Sequence, residues 1–469
     1  MRNTVNASPV KSFFVQMLTR DIELSDAILD LLDNCIDGII RTSGPTTKNQ
    51  YEGRKISITL SSKEFVIADN CGGIPLETLK NYAFRMGRVQ SMARDLVPTV
   101  GTFGIGMKRA IFKMGSRCDV FTRSKIDFDN GNKESYQVSI TPDWIQNEND
   151  WSIPFKTVPA TQFNEFGTSI HISELNESTS ANFDCRKSGF DEKIRKQISV
   201  TYGVMITNGL EIRVNGTTVE SVPLYLKLGK DVSPYVYKAK INAVDVFLAV
   251  GLTAPLIDGD GTPEDGGPPK YSSQYAGWTI LCNDRVVLYA DKTILTGWGE
   301  AGVPQFHPQY NPISGIVAFN SGDVRALPTT TTKRGVDASN PTYLIVKNFM
   351  REGTKACVKF TNDWKKRESE VKDKISTVKS VPFQILKEHT NDYVQTKKTG
   401  IASNNASEAI AKAQLPTPEK QEPTKVTCSV SVERAHVQEV AKFLNISSAS
   451  SREVVLQAFN YVHEEAIDE

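Results

Sequence analysis

Asp30-Leu31-Leu32-Asp33-Asn34-Cys35-Ile36-Asp37, Asp69-Asn70-Cys71-Gly72-Gly73 and Gly101-Thr102-Phe103-Gly104-Ile105-Gly106-Met107-Lys108 follow one another within the first 110 residues. The first belongs to a helical pattern over residues 13–40, for which Ser25 offers an N-cap. Ala27, Ile28, Leu31, Leu32, Ile36, Ile39 and Ile40 supply its apolar face, while Asp30, Asn34 and Asp37, at i, i+4 and i+7, share another stripe. The second closes the β-type run Phe65-Val66-Ile67-Ala68 with a carboxylate and two glycines. The third is a glycine loop that leads into a helix over 107–114.

Each motif alone has a bland reading: a solvated stripe, a hairpin turn, a loop. Together they suit a nucleotide. Asn34 offers a hard amide oxygen for Mg2+, and Asp30, one turn earlier, could polarise a water against a γ-phosphoryl group. Asp33 and Asp37 are near enough for metal-shell contacts or for the base role. A buried carboxylate at Asp69 can accept from an adenine amine, and Gly73 lets backbone lie against the base. Amides of Gly104, Gly106 and Met107 would face phosphate at a helix N-terminus, with Lys108 as a point charge. The loop is not a Walker A sequence, since no Gly-Lys-Ser/Thr ends it.

Jointly these residues resemble the GHKL ATPase superfamily: gyrase B, the ninety-kilodalton heat-shock chaperones, sensor histidine kinases and MutL. That family reads Glu-x-x-x-Asn, Asp-x-Gly-x-Gly and Gly-x-x-Gly-x-Gly, with a later Gly-Thr that is Gly167-Thr168 here. The resemblance implies a Bergerat-type α/β sandwich, a mixed sheet covered by helices. It implies that ATP and Mg2+ are bound by Asn34 (the metal ligand), Asp37, Asp69, Gly73, Met86, Gly101, Thr102, Phe103, Gly104, Ile105, Gly106, Met107, Lys108 and Thr168, with residues 86–104 as a lid. Two departures stand out. Cys71 replaces the first glycine of the second motif, and Asp30 replaces the family glutamate. An aspartate carboxylate sits about 1.5 Å further back, and misplacing a catalytic group by about 1 Å can cost roughly 100-fold. Slow turnover follows as the expectation, with ATP acting mainly as a switch.

Gly277-Trp278-Thr279-Ile280-Leu281-Cys282-Asn283-Asp284-Arg285 resembles the Asn-x-Arg strand pair of the transducer domain in MORC and MutL-type ATPases, a fold of the ribosomal-protein-like type. Leu327-Pro328-Thr329-Thr330-Thr331-Thr332-Lys333-Arg334 resembles the MORC segment whose lysine reaches the γ-phosphate. Lys333 is the catalytic candidate there, with Arg334 second. Sensor kinases lack this domain, and none of the five histidines has a phosphoacceptor context.

The rest of the 469 residues divides accordingly: 1–203 the ATP-binding domain, 204–345 the transducer, 346–395 a basic amphipathic helical segment, 396–428 a flexible linker and 429–469 a small helical element. Between 347 and 379 ten Lys/Arg face five Asp/Glu, a solvated stalk or a surface for DNA phosphates. That segment reads as one long amphipathic helix or as a pair broken near Gly353. Net charge is +1, so a polyanionic partner must meet a local patch. Seven cysteines without a CxxC pair argue for a reducing compartment. Phe13–Leu18 is too short for a secretory signal and no run approaches a membrane span, so a cytoplasmic protein is expected. The functional expectation is an ATPase whose ATP-bound form is a homodimer that clamps a partner, DNA through the basic surface or a protein through the C-terminal helices. MORC-like proteins of this layout often accompany phage-defence genes. A chaperone-like machine and a non-hydrolysing ATP sensor are the alternatives.

Overall fold

The computed structural model describes residues 10–44, 49–85, 104–148, 150–159, 165–253, 273–330, 332–389, 395–396, 408–418, 427–429 and 431–468. Met86, Gly101, Thr102, Phe103 and most of the expected lid lie outside the described residues, as does the Asp258–Pro269 loop.

The helical pattern at the start divides into α1 (Lys11–Arg20) and α2 (Leu24–Ser43). No glycine or proline forces the break; packing does, because Ile22 between them is buried in the core. Ser25 lies inside the first turn and makes no cap, a place Glu23 takes instead. Almost every side chain of α2 from Ala27 to Ile40 is buried, its aspartates 30, 33 and 37 included. The polar stripe is therefore turned into the protein and not toward solvent.

Behind α2 stands a mixed sheet of β1 (Lys55–Leu60), β2 (Glu64–Asp69), β3 (Gly115–Arg123), β4 (Ser135–Ile140), β5 (Phe155–Val158), β6 (Gly167–Leu175), β7 (Glu211–Val214) and β8 (Thr217–Thr218). Their order is β5-β4-β3-β6-β2-β1-β7-β8, and only β1 and β7 run parallel. β1 alternates exposed and buried, as a sheet covered on one face must. Its inner face meets α2, α3 (Gly106–Met114) and α4 (Phe190–Thr201) in one apolar cluster. After the second motif, one helical turn at Leu76–Thr78 runs into a π-turn at Leu79–Ala83.

The second sheet collects β10 (Tyr235–Ile241), β11 (Val244–Leu252), β12 (Gly277–Cys282), β13 (Arg285–Asp291), β14 (Ile313–Asn320), β16 (Gln395–Thr396) and β17 (Ala409–Ala411) in the order β13-β12-β14-β11-β10-β17-β16. A short pair, β9 (Tyr225–Lys227) with β15 (Ser380–Pro382), lies apart. β11, β12 and β14 are buried along nearly their whole length because both faces are covered. One face packs on α5 (Pro341–Asp363), the other on Val200, Val204, Phe383 and Leu386. α5 starts at the Asn340 cap, earlier than residue 346, and does not break at Gly353. That glycine is where the helix presses on the sheet: a Cβ there would lie 2.3 Å from a Val250 methyl. The break comes instead at Trp364–Arg367, before α6 (Glu368–Ser376).

Part of the stretch read as a flexible linker belongs to this sheet. Residues 409–411 pair antiparallel with β10, and Ile410 packs into its core. The sequence signal was weak because a strand of three residues, next to the two-residue edge strand β16, needs few apolar positions. Pro418–Glu469 forms a separate unit, in which α7 (Arg434–Phe443) and α8 (Ser451–Asp468) make a hairpin around buried Ala441 and Val454.

Candidate functional site

α2 carries Asp30, Asn34 and Asp37, with Asp30 against Gly106 at the start of α3 and Gly38 against Cys71 just after β2. Asp30 is ion-paired with Arg109 of α3, Arg109 Nη2 to Asp30 Oδ2 being 2.5 Å. The Asn34 amide nitrogen is buried with no partner in the structure, a group that costs free energy until something satisfies it. Asp37 is buried and faces Arg41, one turn on.

Asp69 ends β2. Its Oδ1 accepts the Cys71 amide at 2.7 Å and the Thr168 amide at 3.3 Å, so it is held from both sides of the motif. Burial drives its acidity down, raising the pKa to about 6, against the opposing pull of the Cys71 amide, the Cys35 thiol, the Thr168 amide and Arg41. Cys71, off the family pattern, is buried and leaves the turn intact: Gly72 and Gly73 both take positive φ, 105° and 71°. The Gly73 carbonyl accepts from Arg41 at 3.1 Å. Gly167 presses on the motif so closely that a Cβ would sit 1.8 Å from the Asp69 carbonyl oxygen. Thr168 comes alongside through this contact, its hydroxyl 3.4 Å from that of Thr122.

Gly104 and Ile105 lead directly into α3, whose first residue is Gly106. Met107 is buried in the core. Lys108, expected to reach phosphate, is turned inward: its ammonium donates to the carbonyl of Ala83 at 3.0 Å and to that of Gly104. It fastens the loop; the cation that reaches the Asp30 side of the cleft is Arg109.

Lys333 reaches α2, but not on the Asp30 stripe. Its Nζ is 2.6 Å from Asp33 Oδ2. Arg285 Nε donates to Asp33 Oδ1 at 2.9 Å, and the Tyr202 hydroxyl lies 2.8 Å from the same oxygen. Burial alone would push the Asp33 carboxyl up, yet Arg285 and Lys333 outweigh it and hold it below its ordinary value. Asp33 is thus fully engaged and removed from the metal-shell and base roles that proximity on α2 suggested. Arg334, the second candidate, pairs with Asp26 and touches Ser25 Oγ at 3.3 Å. Sequence reasoning passed over Arg109, Arg41, Cys35 and Tyr202. Arg109 had a signal, two adjacent cations after the glycine run; the others had none outside the fold.

A nucleoside triphosphate with Mg2+ fits these donors. There is a buried carboxylate at a strand end, a carboxamide one turn from a second carboxylate, and a helix whose first residue, Gly106, packs on that second carboxylate. Residues 22–177 match the family model described as histidine kinase-, DNA gyrase B-, and HSP90-like ATPase. No curated protein matches the chain. Among the described residues, no helix is long and apolar enough to cross a membrane.

Proposed function

Residues 22–177 form a GHKL-type ATPase domain that binds ATP, and from that premise we propose that the chain is a slow ATPase whose ATP-bound state dimerises and closes on DNA. The observation that carries this reading is the seat of Lys333. A residue of the loop after β14 is buried against α2, where it and Arg285 of β13 both pair with Asp33, so segments of the second sheet meet the helix of the candidate site through a shared carboxylate. Lys333 holds φ +56°, a left-handed conformation that costs a non-glycine residue about 1–2 kcal/mol. Such a residue is poised to change partner. A γ-phosphate competes with Asp33 for the ammonium, and a diphosphate does not; this difference gives ATP its leverage on domain geometry.

In the cleft, Asp69 reads the adenine amine, Thr168 supports it, and Gly104, Ile105, Gly106 and Met107 shape the phosphate end. Asn34 would hold Mg2+, which would neutralise phosphate charge. Asp30 orients the water. Val10, Phe13 and Met17 form an exposed apolar stripe on α1, a surface for the second copy in the closed dimer. DNA would meet the outer side of α5 and α6, through contacts that do not read sequence. Of the cations there, Lys347 and Arg351 face Glu300, and Lys359 pairs with Asp363. The second reading is an ATP sensor that does not turn over, in which Asp30, one methylene shorter than the family glutamate, falls short of the water.

The test is Lys333→Ala beside the native chain, with sedimentation velocity, turnover and salt-titrated DNA binding, each with and without a non-hydrolysable ATP analogue. The native chain should dimerise with analogue and bind DNA more tightly, losing affinity steeply with salt. The variant should bind ATP within about threefold of native and fail to dimerise. Nucleotide-induced dimerisation unchanged in the variant refutes the role of Lys333. Absence of turnover in the native chain selects the sensor.

A further inference from the structure

We propose that Arg109 is a further catalytic residue of this site, a cis-acting arginine that takes a γ-phosphate oxygen while its contact to Asp30 aims the carboxylate at water. The inference rests on the ATPase reading above and deepens it.

Three observations converge. Arg109 Nη2 and Asp30 Oδ2 are 2.5 Å apart, with side chains only 20% and 11% exposed, so the pair is sheltered and fixed. Among the described residues Arg109 Nε is buried without a partner; a guanidinium carries five N–H donors in a rigid fork, and this one holds a desolvated donor. Finally, Gly106, the first residue of α3, packs on the same carboxylate: a Cβ there would lie 3.3 Å from Asp30 Cγ and Oδ2. Asp30 therefore sits between the helix N-terminus and the guanidinium, two groups that attract phosphate. Lys108 cannot substitute, because its ammonium is committed to the carbonyls beneath the loop.

The shortened acid now has a physical partner. A carboxylate set one methylene back leaves room for a guanidinium in front of it, and the guanidinium spans the gap to the phosphate. In the reaction, water oxygen bonds to the γ-phosphorus and the bond to the β,γ-bridging oxygen breaks, its electron pair leaving with ADP. The water proton passes to Asp30. Arg109 exchanges no proton; it neutralises charge on the equatorial oxygens, the term an arginine supplies in other phosphoryl transfers, where it is worth about 10³–10⁵ in rate.

The experiment compares native chain, Arg109→Gln and Arg109→Lys for ATP and ADP affinity by calorimetry and for single-turnover hydrolysis. Arg109→Gln should lose about tenfold or more in ATP affinity, hold ADP within about twofold, and hydrolyse at least about 100-fold more slowly. Arg109→Lys, which keeps the charge and loses the fork, should recover part of the ATP-over-ADP preference and little of the rate. Equal losses for both nucleotides, or native rates in either variant, overturn the proposal. A native chain that binds neither nucleotide overturns the ATPase reading itself, which separates the two failures.

Discussion

Lys333 Nζ and Asp33 Oδ2 stand 2.6 Å apart although 300 residues separate them in the chain. With Arg285 on the other oxygen, one carboxylate of α2 pairs with two cations from two different segments around the second sheet. The Arg285 guanidinium also donates to the Lys333 carbonyl at 2.6 Å, so the loop is held by backbone as well as by charge. This relationship makes α2 a shared element: its Asp30 side meets Gly106 and Arg109 of α3, and its Asp33 side meets Arg285 and Lys333 of the second sheet and its loop.

Asp33→Asn should be strongly destabilising for that reason. Breaking a buried ionic cluster by removing one charge leaves the others uncompensated, and such changes cost about 3–5 kcal/mol. Because the native Asp33 pKa is depressed, its contribution is present above the ordinary carboxylate range and is lost as pH falls through the lower folded value. Urea unfolding at pH 7 and at stepped acid pH measures both effects. A variant within about 0.5 kcal/mol of native would mean the cluster contributes specificity and not stability.

Asp69 has the opposite sign. Its folded pKa of about 6 lies above the ordinary 3.8, so the apo protein takes up a proton as pH falls through 6. An ionised carboxylate accepts from an amine more strongly than a protonated one, so if Asp69 reads the adenine, ATP binding favours release of that proton. ATP affinity should be flat between about pH 7 and 8 and weaken by up to about tenfold per unit below pH 6. Titration calorimetry in buffers of different ionisation enthalpy should detect proton release near pH 6, and a flat affinity from pH 5 to 8 would remove Asp69 from adenine recognition.

Much of this was legible before folding. The apolar spacing on α2, the β-type run before Asp69 and the helix after the glycine loop are local patterns, and the structure has each of them as a helix, a strand and a helix. The direction of Lys108 and the partner of Lys333 were not legible. Both depend on which buried acceptor lies nearest, a matter of tertiary packing that no periodicity carries. Asp33 illustrates the difficulty best. In sequence it is another acid beside Asn34; in the fold it is turned about 60° from the Asn34–Asp30 stripe, and there it meets Arg285.

Asp30→Asn should reduce ATP turnover by about 10²- to 10⁴-fold, the usual worth of a positioned acid–base group. ATP affinity should change little, because the amide oxygen can still accept from Arg109. Single-turnover phosphate release, with nucleotide affinity measured in parallel, makes the distinction. A variant that turns over at the native rate would exclude Asp30 as the group that orients water.

Gly167→Ala tests the adenine wall without touching a charge. The added methyl would fall 1.8 Å from the Asp69 carbonyl oxygen, far inside van der Waals contact, so β6 must move off β2 at its first residue. Thr168 would move with it, and Asp69 would lose the Thr168 amide while keeping that of Cys71. Overpacking of this kind typically costs about 1–3 kcal/mol. The rest of β6 stays registered with β2 and β3 through Ser169–Ser173, so the domain should still fold. The expected outcome is a folded protein by circular dichroism with a melting temperature lowered by several degrees and ATP affinity reduced at least about tenfold. An equal loss of affinity for ATP and ADP should accompany it, since both share the adenine. Loss for ATP alone would place the damage at the phosphates and would mean that the Gly167–Asp69 contact does not shape the base pocket.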